Sequence, residues 1–121
     1  MNYNQTAPTC FVNVLGTNYG IYLDIPEHDD KLLAGCLGYC DKSAKRIVIV
    51  AEPDDSEMAD WTAMRKESLR HEIVHAFMHE SGIDANCSFD ILGEEHPEHL
   101  VAWIAIQFPK LLKAFNEVGA L

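Results

Sequence analysis

The sequence predicts an α+β fold, and three observations carry that prediction. Strand-like runs rich in β-branched and aromatic residues fall between Cys10 and Ala51. From about Glu57 to Ser81 the chain contains neither Pro nor Gly, and Gly82 follows as a helix stop signal. A second helical pattern opens near Glu98 and runs to Gly119. Strands first and helices second is an α+β order rather than alternating βαβ units. A chain of 121 residues, 48% of them hydrophobic, suits one domain spanning 1–121 with a proper core.

Residues 1–9 are polar and read as a frayed end. Cys10–Leu15 and Tyr19–Leu23 are strand-like and flank Gly16-Thr17-Asn18, a turn signal, so together they read as a hairpin. Asp24–Asp30 is acidic, contains Pro26, and reads as a loop or a helix start. Lys31–Ala34 fits a short helical turn ended by Gly35. Gly38-Tyr39-Cys40-Asp41 leads into a third strand, with Asp41-Lys42-Ser43 as a turn. Lys45–Ala51 is the clearest strand. Its four consecutive β-branched residues, Ile47 to Val50, suggest burial on both faces. The alternative is a sheet edge able to pair with an extended peptide.

Pro53 breaks that strand, and Asp55 or Ser56 can cap the helix that follows. Along it, Leu69, Ile73 and Phe77 form one apolar stripe, with Val74 and Met78 beside it. Ser81–Ser88 reads as a loop and Phe89–Gly93 as irregular. Pro97 suits the first turn of the second helix. There Leu100, Val101, Ile104 and Ala105 share a face, and Phe108-Pro109 is expected to kink or restart the helix.

Composition excludes some functions. A net charge of -10 argues against nucleic acid as a direct partner, because phosphate binding needs a basic face. No apolar run has the length of a membrane span, and the N-terminus lacks a signal pattern, so the expectation is a cytoplasmic protein. Cys10, Cys36, Cys40 and Cys87 are then expected to be free thiols. A structural metal at Cys36 and Cys40 lacks an obvious second pair of ligands.

The chemistry-bearing stretch is His71-Glu72-Ile73-Val74-His75, a His-Glu-x-x-His pattern inside the first predicted helix. Residues four apart on a helix share a face one turn apart, so His71 and His75 can close on one metal ion with Glu72 beside it. Zinc is the expected ion, and a water that zinc activates would pass its proton to Glu72 as general base.

A catalytic zinc normally takes three protein ligands. His79 continues the spacing but lies about 12 Å along the helix axis from His71. Two nitrogens on one zinc are only about 3–3.5 Å apart, so His79 reads as a helix-end residue favouring the negative pole, with lining the cleft as the alternative. Glu98, opening the second helix, is the better third ligand. Glu94, Glu95, His96 and His99 compete with it. His96 and His99 also qualify as substrate contacts, and with Tyr39 as donors to a developing oxyanion. A core aromatic is the plainer role for Tyr39.

The His71–His75 helix followed by a downstream Glu resembles the gluzincin metallopeptidases. In size and layout the chain is similar to the small phage and mobile-element peptidases of the ImmA/IrrE type. Their second motif, roughly Glu-x-x-Ala-x-x-Phe-Ala, aligns with Glu98-His99-Leu100-Val101-Ala102-Trp103-Ile104-Ala105, departing at Val101 and Ile104. Gly38–Asp41, Leu69–Phe77, Glu80–Gly82 and Trp103–Pro109 resemble small proteins of phages and prophages. The resemblance implies a zincin-like fold: a small, curved, mostly antiparallel sheet packed on the metal-binding helix, with a second C-terminal helix. It implies a zinc-dependent metallopeptidase with a protein or peptide substrate, such as a phage or host regulator. The alternative is a catalytically silent zincin-like module that binds protein through the same cleft.

Overall fold

The computed structural model describes residues 7–86 and 97–121, excluding the side chains of 85, 86, 97–99, 101, 102 and 105. Four strands form one open sheet in the order β1-β2-β4-β3. β1 (Cys10–Val14) and β2 (Thr17–Ile25) pair antiparallel, with Val14 opposite Thr17. The hairpin turn is therefore Leu15-Gly16, two residues, rather than Gly16–Asn18. Both residues take positive φ, 52° and 97°, the primed turn whose twist matches the flanking strands. Asn13 Oδ1 accepts from the Gly16 amide at 2.8 Å. Thr9, expected to be frayed, is tied down: its amide donates to Ile21 O at 2.7 Å.

Two single-turn 3-10 segments, Glu27–Asp29 and Lys31–Leu33, lead from β2 to β3 (Gly38–Asp41). β3 pairs antiparallel with β4 (Arg46–Val50), and β4 pairs parallel with β2. The sheet is thus mixed, with two of its three pairings antiparallel. β4 is interior, which removes the edge-strand reading of Ile47–Val50. Its burial explains why: Ile47 and Ile49 enter one apolar cluster, while Val48 and Val50 enter another on the opposite face. The edges are β1 and β3.

α1 (Trp61–Glu80) begins later than the sequence suggested. Asp60 caps it, its side chain accepting from the Ala63 amide at 3.0 Å. Ser56 closes a local turn instead, accepting from the Met58 amide at 3.3 Å. Gly82 ends the helix at φ 81°, its amide donating to His79 O. The expected loop then contains one helical turn, α2 (Ile83–Asn86). Residues 87–96, which hold the irregular stretch and Cys87, lie outside the described residues.

α3 (Pro97–Glu117) runs unbroken through Pro109. Pro109 is exposed, and it removes one amide from the helix ladder without ending the helix. The buried face of α3 is Trp103, Gln107, Leu111 and Ala114, not the face of Ile104, which is exposed. The helix is apolar on two stripes, and the Trp103 indole decides between them by donating to Ser81 Oγ at 3.0 Å. Arg70 Nη1 donates to Ala120 O at 2.8 Å, so α3 returns antiparallel along α1.

α1 packs on one sheet face. Leu69, Ile73, Ala76 and Phe77 meet Val12, Val14, Tyr19, Ile21, Ile47 and Ile49, and α3 closes the side. This fixes the roll of α1: with the Leu69–Ile73–Phe77 stripe inward, the His71–His75 stripe must face out beside β3. No helix among the described residues is long and apolar enough to cross a membrane.

Candidate metal centre

His71 and His75 stand one turn apart on α1, and their Nε2 atoms are 3.2 Å apart. The rings meet edge to face at 66°. Two nitrogens bonded to one tetrahedral zinc at about 2.0–2.1 Å are separated by about 3.3 Å, so the pair already has the span of a shared ion. Without an ion, one protonated and one bare nitrogen at this distance form a hydrogen bond. Offering one atom each, His71, Glu72 and His75 place their ligand atoms within 4.8 Å of one another. Among the described residues this group can hold a metal ion.

Glu72 differs from its neighbours in burial: it is 8% exposed, while both histidines are exposed. Burial pushes its carboxyl up from the ordinary value, and the His71 charge partly offsets that. Burial lowers His75, with His71 and Lys42 adding to the effect and Asp84 opposing it. A neutral imidazole is the form that ligates a metal. Over Glu72 lies Gly38 at the start of β3. A Cβ there would stand 2.8 Å from both Ile49 Cδ1 and Val48 O, and 3.6 Å from Glu72 Cγ. The close approach that excludes a side chain is thus to β4, while the distance to Glu72 is an ordinary contact.

A cavity of about 450 Å³ opens over the three residues, walled by Gly38, Tyr39, Cys40 and Lys42 on the sheet side and by Met78 and Asp84 beyond. Lys42 Nζ is 3.4 Å from Asp84 Oδ2. Tyr39 contributes to the wall, but its side chain packs with Leu33, Val48 and Val50 on the opposite sheet face and its hydroxyl donates to Asp30 Oδ2 at 2.5 Å. Burial first, and then the Glu72 charge, push the Cys40 thiol up to about 12. It stays protonated at neutral pH and is a poor ligand in that form. Cys10 and Cys36 are free thiols too.

His79 lines an adjoining cavity of about 650 Å³ and sits 3.7 Å from both Glu80 and Asp84. It is not in the metal group, in keeping with its axial distance from His71. The first turn of α3 contains Glu98 and His99, whose side chains lie outside the described residues, as do Glu94, Glu95 and His96 entirely. The sequence reading missed Gly38, Lys42 and Asp84 as parts of the site. The Gly38–Ser43 stretch was legible as a strand and turn, but its position over α1 depends on its edge place in the sheet. No protein-family model matches the chain, and no curated protein or solved structure shows significant similarity to it.

Proposed function

We propose that the protein is a zinc-dependent metallopeptidase of the zincin type, with His71, His75 and Glu98 as ligands. The observation that carries this reading is the 3.2 Å approach of the two Nε2 atoms beside a buried glutamate, on the floor of a cleft along an edge strand. The donor set, two imidazoles and a carboxylate, suits zinc. When bound, zinc supplies Lewis acidity, which makes water more acidic and polarises a carbonyl.

The remaining work falls to the chain. Glu72 takes the proton of the attacking water and returns one to the leaving amine. Its raised proton affinity makes it a better base than an exposed carboxylate. The edge of β3 opposite β4 offers main-chain groups to an extended peptide, aligning it over the cleft. A bare scaffolding metal would not require a buried acid at this spot.

Glu72→Gln tests the reading. The variant should retain zinc but lose cleavage of a denatured protein substrate by at least about 100-fold, the usual worth of a general base. Zinc-loaded wild type that cleaves nothing across a broad peptide library refutes the enzyme and leaves the silent binding module. Metal analysis of two further variants tests the third ligand. Glu98→Ala should empty the site and Asp84→Asn should not; the opposite result moves the ligand to Asp84.

A further inference from the structure

Three cavities follow one another along β3. The first, about 280 Å³, lies between Leu37, Gly38, Met64 and Glu67 and reaches His71 and Glu72. It shares Gly38, His71 and Glu72 with the metal cavity. That cavity in turn shares Tyr39, Cys40 and Lys42 with the cavity that ends at Ser43 and His79. Shared walls make them one groove, with β3 on one side and α1 on the other. Glu67, His71, His75 and His79, each four residues from the last, mark its length on α1. Twelve residues of helix rise about 18 Å, the length of about five residues of extended chain.

The two ends of this groove present different charged side chains: Glu67 at one, and at the other Lys42 flanked by Asp41 and the mostly buried Asp84. Glu67 is exposed and makes no ion pair among the described residues. At the far end Lys42 is the one Lys or Arg lining any of the three cavities. Its side chain is 56% exposed, and its contact with Asp84 at 3.4 Å is longer than the roughly 2.7–2.9 Å of a tight charge-assisted bond. An ammonium has three donors, so two remain for another acceptor. Asp41, beside it, turns its carboxylate inward to the Ser43 and Ala44 amides and the Ser43 hydroxyl.

We propose that the groove takes an extended peptide across the metal, with a basic side chain against Glu67 and an acidic side chain against Lys42. This specificity rests on the metallopeptidase reading and names its substrate class: polypeptide segments with opposite charges on the two sides of the scissile bond.

The test uses two fluorescent peptides of equal composition, Lys-Ala-Ala-Ala-Glu and Glu-Ala-Ala-Ala-Lys. Binding to zinc-loaded Glu72→Gln protein is measured by anisotropy, and cleavage by wild type is followed in parallel. One order should bind more tightly, by roughly five-fold given the modest worth of exposed pairs, and the gap should shrink in high salt. Adding Glu67→Lys and Lys42→Glu should invert the order. Both positions are exposed, and thermal melts check that the variants fold. Equal binding of the two peptides, or a preference unchanged in the double reversal, overturns the proposal. Cleavage without charge preference sinks this inference alone. Charge-ordered binding without cleavage supports the groove and sinks the peptidase.

Discussion

Loss of either histidine should cost zinc affinity far more than it costs stability. The Nε2 atoms stand 3.2 Å apart, within about 0.2 Å of the separation that two bonds to a tetrahedral zinc require. The pair therefore needs little rearrangement to bind, and a single remaining imidazole forfeits that preorganisation. Removing a mere hydrogen-bond partner of a ligand typically weakens metal binding 10–100-fold, so removing a ligand itself should exceed about 100-fold. His71→Ala and His75→Ala are the perturbations, and competition against a chromogenic chelator is the assay. Both side chains are exposed, so melting without metal should move by no more than about 2 °C. His79→Ala, four residues further on, should bind zinc like wild type. Affinity within ten-fold of wild type in His75→Ala, or an equal loss in His79→Ala, would refute the geometric argument. Burial keeps His75 neutral to lower pH than a free imidazole, so proton competition should set in late on acidification.

Two further expectations concern the frame that holds the site. Glu80, at the end of α1, accepts from Tyr19 Oη at 2.7 Å and from Lys45 Nζ at 2.9 Å, which holds its carboxyl down at about 2. Discounted for partial contact with solvent, that depression is worth about 1–2 kcal/mol. Because the folded value lies below the unfolded one, this stability is present above about pH 4.5 and is lost as pH falls toward 2. Urea unfolding of Glu80→Gln should show that deficit at pH 7, a smaller one at pH 3, and converge with wild type only toward pH 2; a deficit independent of pH would contradict the assignment. Gly38→Ala should cost about 1–3 kcal/mol, since the new Cβ meets the Val48 carbonyl at 2.8 Å and backbone cannot swing aside. It should also lower activity by shifting β3 off Glu72. A melt unchanged from wild type would show that the strand has slack there.

What could be read from the chain was local. The pairing of His71 with His75 follows from helical spacing, and so does the exclusion of His79; neither needs a partner element. Gly82, Gly119 and Pro97 mark helix ends because their backbone preferences are intrinsic. The unbroken apolar run of β4 announced burial on both faces, and the two clusters divide its side chains as alternation demands. The hairpin was legible, but its turn is Leu15-Gly16 and not Gly16-Thr17-Asn18, because cross-strand register puts Thr17 and Asn18 in the strand opposite Val14 and Asn13.

Other features came only with long-range contact. Two apolar stripes on α3 look alike in sequence, and the reach of Trp103 to Ser81 decides which is buried. The order β1-β2-β4-β3 places β3 at the edge, which lays Gly38 over Glu72 and brings Lys42 and Asp84 to the cleft. Spacing along one helix determined that two imidazoles could meet; burial of the acid between them depends on a strand more than thirty residues away. A four-residue repeat is enforced by the backbone's own hydrogen bonds, whereas the cover over Glu72 exists only because sheet pairing brings two distant segments together.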